Sequence, residues 1–190
     1  MACIKNGKSK LPGGGGTKEF ALRASDVFVE GDVELPVLRE KLLTIGMAKV
    51  ATSGYEAFDL GYLRRGKDAV TVNQNRLIAD AKQAAIELAE AGYVAPVLRK
   101  DIRVLGKSGL GMIYAGASNM FAGNYMSEHD KLITEKLGWI LCGGDLSSPT
   151  LVSENYLLDL EREAFLSLCG EKKTLQRIQS LLTKGKILRN

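Results

Sequence analysis

Histidine and tryptophan each occur once in the 190 residues, proline four times and cysteine three times. A single histidine, His129, excludes a multi-histidine metal centre and any relay built from several imidazoles. Cys3, Cys142 and Cys169 form an odd, sparse set without a CxxC pair, which excludes a dense disulfide framework. Such usage is expected of a cytoplasmic protein in a reducing compartment. No run of about 18 apolar residues occurs, so no membrane-spanning helix is expected. The basic start, MACIKNGKSK, has no apolar stretch behind it and does not read as a secretory signal.

What is present is the composition of a folded protein. Hydrophobic residues make up 45% of the chain and charged residues 25%, enough apolar surface to bury a core. The length suggests one domain with at most a small appendage. Net charge is +4, unevenly placed: Lys172, Lys173, Arg177, Lys184, Lys186 and Arg189 share the end of the chain with no acidic residue after Glu171. This cluster reads either as a site for an anionic partner or as a solvated helix face whose cations favour the helix C-terminus.

Helical signals dominate the chain. Pro12-Gly13-Gly14-Gly15-Gly16-Thr17 precedes the apolar Phe20-Ala21-Leu22 and reads as a glycine turn feeding a helix N-terminus, whose unpaired N–H groups suit an anion or an oxygen lone pair. A flexible linker is the other reading. Leu35, Leu38, Leu42 and Ile45 recur at helical spacing, and Ser53 starts a short helical piece ending near Gly61. Asp68–Val72 is the best strand candidate, and Asn73 caps a helix from about Gln74 to Ala91, closed by Gly92. The glycine- and alanine-rich stretch from Ile102 to Tyr125 reads as a close-packed, broken helix. Ser127 with Asp130 resembles a capping box, and that helix ends at Gly143-Gly144. Pro149 and Thr150 are expected to open the next helix, with Leu157, Leu160, Ala164, Phe165 and Leu168 as its stripe and Gly170 as its stop. A last helix carries Leu175, Ile178, Leu181 and Leu182 and stops at Gly185. The fold class is therefore mainly α, with at most a few short strands.

Several apparent sites fail on inspection. Gly106-Lys107-Ser108 ends like a phosphate-binding loop, but the first glycine of that loop is replaced by Asp101, which would repel phosphate. Gly109 and Gly111 begin a dinucleotide fingerprint whose last glycine is Tyr114. Cys142 and Cys169 lie among apolar residues and read as packing. Glu154, Asp159, Glu161 and Glu163 offer acid–base chemistry, but Glu161-Arg162-Glu163 is expected on a solvated face.

The order of these parts resembles one family. Leu11-Pro12-Gly13-Gly14-Gly15-Gly16-Thr17-Lys18 is similar to the PGxGGT turn of the crotonase (enoyl-CoA hydratase/isomerase) superfamily. Leu43-Thr44-Ile45-Gly46 followed by Ala57-Phe58-Asp59-Leu60-Gly61-Tyr62-Leu63 is similar to its TG…A…GLV segment. From Cys142 onward, with LVSENYLLDLEREAFLSLCGEKKTLQRI at its centre, the chain resembles the C-terminus of long bacterial proteins that join a 3-hydroxyacyl-CoA dehydrogenase to a crotonase-type region.

The resemblance implies an acyl-CoA substrate whose thioester oxygen is held by two backbone N–H groups, with two glutamates as acid and base. It places Gly13 where a backbone N–H positions water, beside Gly14. It also brings Phe165 and Lys184 toward the CoA nucleotide, where an aromatic packs on adenine and a cation meets phosphate. Ordinary core packing is the alternative for Phe165. The departures are large, because the family's glutamates and oxyanion amides precede the turn, and Lys5 stands where the nearer glutamate belongs. The dehydrogenase part, with its NAD loop, is also missing. Three segments are expected: a lead peptide at 1–11 unlike the family, the tail of a crotonase-like core at 12–100, and a C-terminal helical region at 101–190.

The expectation is a fragment-like acyl-CoA protein of fatty-acid β-oxidation, without catalytic residues of its own, that binds no NAD or metal and self-associates or joins the rest of a parent protein. A truncated product, a frameshift or a misplaced start codon would each give this pattern. The competing expectation is a non-catalytic helical assembly or acyl-CoA-binding module. Nucleic-acid binding is disfavoured, because no aromatics are interleaved with the terminal cations.

Overall fold

The computed structural model describes residues 13–186 and 188–190. Lys5, Cys3, Pro12 and the lead peptide lie outside them. Two compact units are present, one from the described residues of Met1–Val50 and Arg99–Asn190, the other from Ala51–Leu98. Described residues 13–50 group with those from Arg99 onward.

The larger unit holds α1 (Gly16–Ser25), α2 (Leu35–Gly46), α5 (Gly106–Ala122), α6 (Glu128–Leu141), α7 (Glu154–Cys169), α8 (Lys172–Lys184) and a two-stranded sheet. Helix α6 is the hub, packed against α1, α2, α5 and α7. Its buried Leu137, Ile140 and Leu141 meet a core that includes Phe20, Leu38, Ile113 and Leu157. Gly138 allows the close approach of α5, since a Cβ there would stand 2.6 Å from Ile113 Cγ2.

Local capping chemistry sets many helix ends. The Ser127 hydroxyl accepts from Asp130 N–H at 3.1 Å to start α6, and Ser153 accepts from Tyr156 N–H at 3.2 Å to start α7. Gly185 closes α8 in the left-handed conformation.

Two expectations are corrected here. Ile102–Val104 is a strand, β1, rather than part of a helix, and Thr150–Val152 is its antiparallel partner β2 rather than a helix start. Ile102 and Val104 point into the core while Arg103 faces solvent, as a half-buried strand requires.

In the smaller unit, Ser53 caps α3 (Gly54–Asp59), and Asn73 caps a 3₁₀ turn at Gln74–Arg76 that leads into α4 (Leu77–Glu90). Asp68–Val72, expected as a strand, is irregular and has no pairing partner. Val70 instead closes on Gly54, where a Cβ would stand 2.7 Å from its Cγ1. No residue of α3 or α4 is buried, and Leu77, Ile78 and Leu88 of α4 are largely exposed. Among the described residues no helix is long and apolar enough to cross a membrane.

Candidate ligand cleft at the glycine turn

The glycine turn and α7 form an open cleft of about 190 Å³, lined by Gly13–Gly15, Leu158, Glu161, Arg162, Phe165 and Leu166. One face of α7 makes it, since positions 158, 161 and 165 fall on the same side of a helix. Phe165 lies against Gly13, where a Cβ would stand 3.0 Å from its Cδ2. Leu158 lies under Gly15, where the same atom would stand 3.5 Å away. Phe165 is half-buried at this wall rather than sunk in the core. The structure thus brings together three residues singled out by the sequence, Gly13, Gly14 and Phe165. It leaves the fourth, Lys184, exposed in the last turn of α8 and outside the cleft lining.

The N–H groups of the turn are partly spoken for. Gly15, with φ of 87°, leads into α1 with its N–H donated to Glu161 Oε1 at 2.7 Å, and Lys18 N–H donates to Oε2 at 3.0 Å. A carboxylate from α7 therefore fills the positive end of α1 that an external anion would otherwise take. Glu161 is only 2% exposed, which corrects its expected place on a solvated face. The signal was present: Glu161 follows Leu157 by four residues and precedes Ala164 by three, so it shares their stripe. Burial pushes its carboxyl above the ordinary glutamate range, against the pull of the Lys18, Gly15 and Thr17 N–H groups. The neighbouring Thr17 hydroxyl is buried without a partner among the described residues.

The other acidic candidates divide. Glu154, also buried, accepts from Lys18 Nζ at 2.8 Å and from Arg99 N–H at 2.9 Å, anchoring the start of α7. Burial raises its pKa, but these bonds outweigh it and hold the carboxyl low. Asp159 pairs with Arg162 at 2.8 Å on the surface. These contacts describe anchors, not an acid–base pair facing one substrate atom.

The turn at Gly106 offers no dinucleotide or phosphate site. Gly106 N–H donates to Cys142 O at 2.9 Å and Lys107 N–H to Leu146 O at 2.8 Å, so the first donors of α5 are consumed by backbone. The residues present do not fit NAD there. Cys142 is buried, and desolvation pushes its thiol up to about 12, which leaves it unreactive. Among the described residues no cluster could hold a metal ion.

One of the six cations at the basic end is buried. Arg177 is 1% exposed, and its guanidinium donates to Asp130 Oδ1 at 2.6 Å and to Asn190 Oδ1 at 2.8 Å. Beside it, His129 is buried with Nε2 2.9 Å from Thr174 Oγ1. Burial lowers the imidazole pKa, and Arg177 and Lys173 add to the effect against Glu171 and Asp130. For Asp130, burial acts upward, but the Arg177 bond and charge and the Ser127 contacts carry the net shift below the ordinary value.

Both depressed groups take up protons more readily in the unfolded chain, so both lose stability on acidification. The first loss is expected as pH falls below about 6.5 and the second below about 3.9, the ordinary imidazole and aspartate values. Thermal unfolding from pH 7.5 down to 3 checks this, with about 0.5 pH spacing across the His range. His129→Gln should flatten the upper limb and Asp130→Asn the lower one. An unchanged slope in both variants would contradict the assignment.

Along all 190 residues the chain is 40% identical to part of a protein named "Probable 3-hydroxyacyl-CoA dehydrogenase" from Bacillus subtilis (strain 168). It spans 23% of that relative's length. No family model and no solved structure matches the chain. The similarity includes the first eleven residues, expected as a lead peptide.

Proposed function

We propose that this chain is a non-catalytic segment of an acyl-CoA protein that works in fatty-acid β-oxidation, in a context of 3-hydroxyacyl-CoA dehydrogenase and crotonase-type enoyl-CoA hydratase chemistry. The observation that carries the reading is the similarity to the dehydrogenase-named relative along the whole chain. The cleft supports it: Gly14 has open space where a Cβ would stand, which lets a ligand approach the backbone, and half-buried Phe165 offers an aromatic surface. In this reading NAD is handled outside this chain, and Lys184 contributes only an exposed cation within reach of solvent phosphate.

The chain alone is expected to leave crotonyl-CoA hydration and NAD-dependent oxidation of 3-hydroxybutyryl-CoA at background. General acid–base groups contribute about 10²–10⁴-fold each, and among the described residues no facing carboxylate pair stands at the cleft. Butyryl-CoA should still bind in the millimolar range, about −4 kcal/mol, with the affinity weakened by Phe165→Ala. Titrating butyryl-CoA and a short single-stranded oligonucleotide against wild type, Phe165→Ala and Lys184→Ala tests this. Equal losses for both ligands in Lys184→Ala, with none in Phe165→Ala, would replace the acyl-CoA reading with nonspecific polyanion binding.

The exposed Leu77, Ile78 and Leu88 of α4 favour a second reading, a helical assembly module. A mass that rises with concentration in light scattering, together with no response to butyryl-CoA, would select it.

A further inference from the structure

We propose that Glu161 is a positioning residue for the cleft: its carboxylate, held on α7, sets the left-handed glycine turn at Gly15 and so places the Gly13–Gly14 wall against Phe165. Three residues on one helix face carry the inference. Leu158 supports Gly15 from below, Glu161 binds Gly15 N–H and Lys18 N–H with separate oxygens, and Phe165 closes on Gly13. Because 158, 161 and 165 are spaced for one side of α7, the turn is templated by that face rather than by its own residues. Four consecutive glycines have little conformational preference of their own, so an external template has to select one geometry.

The carboxylate is suited to this task. Both oxygens are engaged, and the side chain is almost fully buried, so water competes poorly for the turn's donors. The Lys18 ammonium is turned away to Glu154 at 2.8 Å, which leaves Glu161 to the backbone. Replacing the carboxylate by an amide keeps the volume but puts an N–H₂ group where one N–H donor must be received. The ligand part of this inference rests on the acyl-CoA reading above; the turn part does not.

The test uses the full chain and three variants. In wild type the Phe165 ring should shift the Gly13 Hα resonances upfield, and the carboxylate should move the Gly15 and Lys18 amide protons downfield. Glu161→Gln should abolish the Gly13 ring shift and weaken butyryl-CoA binding roughly tenfold, the value of one lost charge-assisted bond. Leu160→Ala is the control, because Leu160 packs on Gly144, with Cδ2 3.3 Å from a Cβ placed there, away from the cleft. It should lose stability yet keep both the ring shift and the affinity. If Glu161→Gln does not fold, Glu161→Asp, which keeps the charge with a shorter reach, is measured in its place and should lose the same signals. A variant at Glu161 that keeps the ring shift overturns the proposal, as does one that binds butyryl-CoA as wild type does. Wild type that shows the ring shift but binds no butyryl-CoA instead overturns the acyl-CoA reading and leaves the template intact.

Discussion

Arg177→Ala is expected to destabilise the chain by about 3 kcal/mol, the lower end of the range for breaking a buried ion pair. The Arg177 side chain has no exposed surface, and its guanidinium is shared between Asp130 and Asn190. Removing it strands Asp130, whose side chain is 31% exposed and only partly able to recover water. It also removes one of the contacts that join α8 to the first turn of α6, beside the one between His129 and Thr174. His129 stands in the same junction and would lose a cationic neighbour, so its pKa should rise toward the ordinary value. Urea unfolding measures the first effect, and an NMR titration of His129 measures the second. A stability change below about 1 kcal/mol, the level of an exposed pair, would show that Arg177 is not held as described. The double variant with Asp130→Asn should cost less than the sum of the single changes, because each removes the same interaction.

Gly143→Ala is expected to cost about as much for a different reason. Gly143 ends α6 with φ of 84°, and a Cβ there would stand 2.5 Å from Val104 Cγ2 on β1 and 2.9 Å from Val104 Cβ. Left-handed backbone costs an alanine about 1–2 kcal/mol, and overpacking a filled core adds about 1–3 kcal/mol. Gly144 has nearly the same backbone, φ 78°, but its nearest neighbours, a Leu160 methyl and the Tyr156 hydroxyl, would be 3.3 Å away and need give by only a few tenths of an ångström. Gly144→Ala should therefore cost the backbone share and little more. Chemical denaturation of the two variants separates steric from conformational cost. Equal losses at both positions would show that Val104 yields and that the contact at Gly143 carries no strain.

Both expectations turn on features that sequence patterns render differently. Gly143-Gly144 is legible as a helix stop, because a stop depends on the residues of one turn. Its collision with Val104 is not legible, since β1 lies far away in the chain. Arg177 reads as one cation among six, and only the folded α6–α8 junction turns it inward. Ile102–Val104 and Thr150–Val152 are three residues each, too short to show period-two alternation, and each becomes a strand because the other is there to pair with it. Asp68–Val72 holds three β-branched residues in five but has no partner, so it stays irregular.

The cleft shows the same division. The glycine turn, the start of α1 after it and the place of Phe165 on α7 are visible as local composition and helical spacing. Glu161 was legible in principle from its spacing to Leu157 and Ala164, but a carboxylate on an apolar stripe carries no indication of which buried donors it will meet.

Thus the sequence by itself determined the mainly helical class and many of the helix boundaries, because caps, glycine stops and amphipathic spacing act within about four residues. Tertiary structure alone decided which charges are buried, which short segments pair as strands and which residues share the cleft. Those outcomes depend on groups far apart in the chain, such as Gly15 with Glu161 and Arg177 with Asp130, whose interaction energies exist only after the helices have excluded water around them.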